Sequence, residues 1–287
     1  MEDLTITGYT AKFKATKNIS YLVKALILTL LQRRTSELLY GAYCSLFFRP
    51  SLVKKSDITH LLGQILSKNE FFNWSFSRTQ LIELWGKDFN IHFLPNDFEG
   101  ARSESIVQDN KFLIVGEYAD HQARIAYVTR ESCFVSDYYN QVSGVRHIHS
   151  ILRYGDSGEI LVATGDSRKL LDLWVVADHK LSFVKRIRRN FAGYTAAINI
   201  NGGYYFGTDF SSRPNYIETL EGEKYFFPQK AYKMSTLTFH SFLGRYIVAI
   251  SGDMPQFGDR KTLSIFDVIQ KEFIFCDYLD RILEEGS

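Results

Sequence analysis

The chain has 287 residues, 45% of them hydrophobic and 15% aromatic, with a formal net charge of +2. That is enough apolar material for a large core, and too even a charge to indicate a nucleic-acid partner or an anionic membrane surface. Five Pro and 23% charged residues argue against a disordered chain, and three scattered cysteines at 44, 133 and 276 show no disulfide or metal-ligand spacing, which fits a reducing, cytoplasmic setting.

Residues 1–55 form the least regular segment and read as an N-terminal piece with helical character, or as a degenerate first blade. The apolar run 21–31, interrupted by Lys24, falls short of the roughly 20 residues needed to cross a bilayer. It therefore reads as a packed helix or strand pair rather than an integral span, with a membrane-surface or targeting segment as the competing reading. Residues 37–49 look like a worn copy of later strand pairs, with Ala42 where an acid would stand. Ser56 then caps a short helix over 56–67. The segments 71–75 and 80–85 read as strands of another worn unit, because Trp74 precedes Glu117 by 43 residues.

From Glu104 onward a repeat is legible. Four apolar strands end in a Gly/acid corner, and the acids Glu117, Asp166, Asp209 and Asp253 follow one another at steps of 49, 43 and 44 residues. After each corner come a third strand (124–128, 171–176, 215–219, 263–268) and a looser fourth (133–137, 181–185, 224–227, 272–276). Four short strands every 40 to 50 residues is the pattern of a β-propeller blade. The expectation is an all-β fold: a β-propeller of about five or six four-stranded blades over 56–287. Clear blades fall near 104–144, 145–193, 194–232 and 233–280, and the ring either closes with an N-terminal strand or stays incomplete.

The residues 145–151 and 159–166, joined by a turn at 155–158, show the unit best. Strict alternation places Val145, His147, His149 and Ile151 on one face and Arg146, Ile148 and Ser150 on the other. The histidines would then face the blade core and Arg146 the other way.

The runs 112–118, 144–149 with 163–166, and 205–209 with 215–217 resemble the sialidase-like β-propellers related to Asp-box (BNR) repeats. The resemblance covers about residues 104–268. It implies a carbohydrate-handling protein that binds or cleaves a glycan through its central channel, in the manner of exo-sialidase-like or glycosyl-hydrolase-like proteins. The pattern departs from the family's: no Ser-x-Asp-x-Gly-x-Thr-Trp box is intact, and 129–133 is at best its relic. Spacing assigns neither an arginine triad nor a Tyr/Glu nucleophile pair, so no catalytic residue is named and enzyme status stays open.

Candidate ligand-binding residues are those that inner strands would bring to the channel: Arg146, His147, His149 and His240. An arginine there can hold a carboxylate through two parallel bonds. His147 and His149 also admit a packing reading and a metal reading; the working expectation is no metal and no cofactor. The corner acids Glu117, Asp166 and Asp209 either cap their turns or ring one mouth with carboxylates. The basic run 185–189 reads as a solvated strand end. The expected partner is a glycan or an anionic small molecule bound by a monomer. The alternatives are a non-catalytic scaffold for protein interactions and a metal-dependent lyase or hydrolase.

Overall fold

The structure is a computed structural model that describes residues 75–285, apart from 137, 143, 156–157, 166–168, 178–179, 190–192, 210–213, 229, 233 and 253–259. The readings made for 1–74, including the capped helix at 56–67 and the worn copy at 37–49, lie outside the described residues.

Four antiparallel sheets follow one another along the chain. The first contains β1 (Ser75–Ser77), β2 (Gly100–Gln108), β3 (Leu113–Glu117), β4 (Ile125–Val128) and β5 (Cys133–Ser136). The second is β6 (His147–Tyr154), β7 (Glu159–Gly165), β8 (Leu170–Ala177) and β9 (Lys180–Arg189). The third is β10 (Tyr194–Ile200), β11 (Gly203–Thr208), β12 (Tyr216–Thr219) and β13 (Lys224–Phe226). The fourth is β14 (Ser235–Phe242), β15 (Tyr246–Gly252), β16 (Thr262–Asp267) and β17 (Glu272–Tyr278). Within each sheet every strand pairs with the next in sequence, and β2, β6, β10 and β14 lie side by side as the innermost long strands, with the three-residue β1 paired on the other edge of β2. This is a β-propeller arrangement, but the described residues form four blades rather than five or six.

The physical reason lies at the two ends of the series. Residues 80–85, read as a strand of a worn blade, belong to helix α1 (Arg78–Trp85). Ser77 and Gln80 close a reciprocal capping box at its start. Leu81 of α1, with Phe89, Ile91, Leu94 and Phe98 from the loop that follows, packs on Leu113, Val115, Ala126 and Val128. That face of the first blade is thereby covered without a neighbouring sheet. At the other end, Leu279 and Ile282 of helix α2 (Leu279–Glu285) pack against Val248, Ile250, Ile265 and Phe275 of the fourth blade. Between these caps, apolar layers hold first to second blade (Ile114, Ile148, Trp174), second to third (Leu161, Leu173, Phe206) and third to fourth (Ile217, Ala249, Phe266). None of the helices among the described residues is long and apolar enough to cross a membrane.

The Gly/acid corner has a steric cause. Every innermost strand slips register against its neighbour: between Ala101 and Ile106, Ile148 and Ser150, Tyr194 and Ala196, and Thr236 and Thr238. The residues in these bulges, Ser105, His149, Thr195 and Leu237, all meet a corner glycine. Ser105 Oγ donates to the Gly116 carbonyl at 2.8 Å, and Thr195 Oγ1, which donates to the Thr236 carbonyl, lies 3.4 Å from that of Gly207. A Cβ at Gly165 would fall 1.9 Å from the His149 ring, and one at Gly252 would fall 2.4 Å from Leu237. At Gly165 and Gly252 the repeat therefore records a bulge facing a residue with no side chain. The bulge also corrects the strict alternation expected for 145–151. Ile148 and Ile151 end in the same apolar layer, both against Gly116, because the extra residue His149 shifts the parity between them.

Candidate functional site: the seam between the first and fourth blades

The first and fourth blades meet where two bulges face each other. In β2 the Ser105 hydroxyl accepts from the Arg102 amide (3.1 Å), and its oxygen lies 2.9 Å from the Arg102 carbonyl. This local loop takes Arg102 and Glu104 off the regular ladder and leaves their side chains available to the strand across the seam. Arg102 Nη2 donates to the carbonyl of Leu237, the bulge residue of β14, at 2.5 Å. Thr238 Oγ1 donates to Glu104 Oε1, and Thr238 Oγ1 lies 3.1 Å from His240 Nε2. A carboxyl, a hydroxyl and an imidazole thus form a row from one blade to the other.

Glu104 lies deep among the blades yet keeps part of its surface open. Burial raises its pKa to about 7, against the smaller opposing effects of the Thr238 hydrogen bond, the Arg102 charge and the Phe239 amide. A carboxyl that changes charge near neutrality can act as donor or acceptor under ordinary conditions. Thr238 is buried and His240 half-buried beside it.

The residues named from sequence are distributed over several places. His240 belongs to this row. His147 and His149 sit at the junction of the first and second blades, where Tyr118 stacks on His147 with ring centroids 3.9 Å apart and on His149 at 5.7 Å. Both are buried, and no group of three or more metal-ligating side chains occurs among the described residues. Arg146 is exposed immediately before β6, and its carbonyl accepts from the Ala119 amide. Glu117 is fully buried: it accepts two bonds from the Arg124 guanidinium, at 2.8 Å each, and the amides of Glu99 and Arg124. Asp209 accepts from Ser235 Oγ at 2.5 Å and so links the third blade to the fourth. Asp166 lies outside the described residues.

The other buried carboxylates are likewise committed. Arg186 clasps Asp172 within the second blade, Arg188 reaches from the second blade to Glu218 of the third, and Arg245 clasps Asp267 in the fourth. The basic run on β9 is therefore partly structural, since Arg186 and Arg188 both close acids. Burial would raise Asp267, yet Arg245 and the amides of Gln270 and Ile269 hold it below the usual carboxylate range.

Sequence reasoning named His240 but missed Arg102, Glu104 and Thr238. The signal for Arg102 and Glu104 was available in Arg-Ser-Glu-Ser, residues 102–105, two charges inside a strand, whereas Thr238 carries no such mark. No known protein-family profile matches this chain, and a comparison with curated proteins finds no match. The propeller arrangement thus rests on the geometry of the blades.

Proposed function

We propose that this propeller binds a polyhydroxylated ligand of the glycan class at its central channel, with Glu104, Thr238 and His240 as the polar wall. The observation that carries this reading is the convergence of those three side chains from two different blades, when Glu117, Asp172, Glu218 and Asp267 are each committed to an arginine. A carboxyl, a hydroxyl and an imidazole in one row match the alternating donors and acceptors of a sugar edge. Arg146, exposed at the start of the neighbouring inner strand, is the cation we assign to an acidic group on that ligand. The resemblance to sialidase-like propellers supports the same class. Binding is favoured over cleavage, because a glycosidase sets two carboxyl groups across its bond and the row supplies one.

Glycan-array screening followed by calorimetry tests this. A hit that weakens about tenfold or more in Glu104→Gln and in His240→Ala supports it. Absence of any hit, or hits that both variants bind unchanged, sinks it.

A second reading has an observation of its own. Leu243 and Ile269 are 72% and 70% exposed on two turns of the fourth blade, which the Val268 amide ties together through the Arg245 carbonyl. Leu243 also holds a positive φ of 52°, a strained conformation for a leucine. On this reading the turns are a protein-contact surface and the propeller is a scaffold. Concentration-dependent sedimentation that Leu243→Ser and Ile269→Ser abolish would favour it.

A further inference from the structure

We propose that Glu104, Thr238 and His240 form a one-proton relay across the seam between the first and fourth blades, and that capture of a ligand at this wall is linked to that proton. The link to a ligand rests on the channel reading above; the relay itself does not.

The geometry is that of a hydroxyl held between an acid and a base. Thr238 Oγ1 is bonded to Glu104 Oε1 on one side and lies 3.1 Å from His240 Nε2 on the other. Such a hydroxyl can pass one proton on as it takes another. In one arrangement Glu104 is neutral, its O–H donates to Thr238, and Thr238 donates to an unprotonated Nε2. In the other, Glu104 is a carboxylate accepting from Thr238, and Thr238 accepts from the N–H of an imidazolium. Moving between them shifts the carboxyl proton to Thr238 Oγ1 and the Thr238 proton to Nε2. Nothing is gained or lost, and no external reactant is required.

The surroundings suit a shared proton. Arg102, on the same strand as Glu104, stabilises the carboxylate form, and burial opposes it, so that Glu104 is poised near neutrality with a pKa of about 7. The fourth blade presents Thr238, the Phe239 amide and His240. The titratable groups on the other two inner strands are engaged elsewhere. On β6, His147 and His149 stack with Tyr118, Arg153 pairs with Asp109, and Tyr154 packs on Tyr204. On β10, Tyr194 donates to Glu218 and accepts from Arg188. A ligand hydroxyl that takes over either neighbour of Thr238 breaks the chain and fixes the proton on one end, which makes binding pH-dependent.

The test uses the full chain without ligand. The carboxyl carbon of Glu104 and the ring nitrogens of His240 are followed by NMR between pH 4.5 and 9. A relay gives the same macroscopic midpoints at both probes, one of them near neutrality, since two strongly coupled groups titrate as a pair. Thr238→Val should leave each probe with a midpoint of its own, and Thr238→Ser, which keeps the hydroxyl, should restore the shared ones. Midpoints that differ between the two probes in the wild type, or a Glu104 carboxyl that titrates only near the ordinary glutamate value, overturn the proposal. If Thr238→Val does not fold, the wild-type and Thr238→Ser titrations decide alone. A relay observed together with an empty glycan screen leaves the proton chemistry standing and removes the ligand class; a glycan hit with independent midpoints does the reverse.

Discussion

The side chain of Ile148 occupies the space beside Gly116 in which a β-carbon would lie, 2.4 Å from its Cγ2. The two residues belong to different blades, so the glycine at the corner of one blade receives a side chain from the inner strand of the next. Gly207 receives Thr236 and Phe239 in the same way. In the other two corners the intruding side chain comes from the same blade, His149 at Gly165 and Leu237 at Gly252. What looks like a turn residue in the sequence is a packing hole in the fold.

Alanine at these corners should therefore destabilise through overpacking. Gly116→Ala and Gly165→Ala are each expected to lower unfolding free energy by about 1–3 kcal/mol, with Gly165→Ala the worse. A Cβ there meets three ring atoms of His149 within 2.4 Å, whereas an aliphatic side chain can give way more easily. Urea unfolding of both variants checks the order, and equal stability to wild type would contradict the steric account.

Arg124 should be costly to remove. Its partner Glu117 is fully buried and would lose both guanidinium bonds. Arg124→Gln is expected to cost about 3–5 kcal/mol, the usual result of breaking a buried pair from one side. Arg260→Gln is the control: its pair with Asp280 is half-exposed on both sides, so no resolvable change in the denaturant midpoint is expected.

Glu104 sets a pH dependence whose sign can be worked out. Its folded pKa, about 7, is above the model-peptide value of 4.5. The folded state therefore binds the proton more tightly than the unfolded chain does. The neutral carboxyl contributes its full advantage below about pH 4.5, and that advantage is lost as pH rises through about 7. Thermal unfolding of wild type should thus lose about 2–3 kcal/mol from this group across that window. Glu104→Gln, which stays neutral, should lack this component. A variant whose pH profile overlays the wild type would place the titration elsewhere.

The thiols Cys133 and Cys276 should resist labelling. Burial pushes both up to about 11, at Cys276 against the smaller opposing effect of the hydrogen bond that Ser264 Oγ donates to its sulfur at 3.2 Å. Thiolate is the reactive form, so at pH 8 both sites should alkylate slowly in the folded protein and rapidly in urea. Mass spectrometry resolves the two peptides, and rapid native labelling of Cys276 would show that the edge of the fourth blade opens.

Before any folding, the sequence determined the strand pattern and its period. Buried strands such as β7 and β15 must be apolar along their length, and the packing hole at each corner requires glycine, so both leave marks that a single chain displays. The tertiary structure decided the rest. Residues 80–85 carry apolar spacing that fits a strand or a helix, and only the Ser77–Gln80 cap and the bare face of the first blade make them α1. The parity of His147 and His149 depended on a bulge, which is set by what Gly165 leaves room for and not by the local order of residues. The channel row was the least legible of all. Glu104 and Thr238 are separated by 134 positions, and each alone is an ordinary strand residue. Only the meeting of two bulged strands takes the carboxyl out of water and gives it a hydroxyl and an imidazole for neighbours.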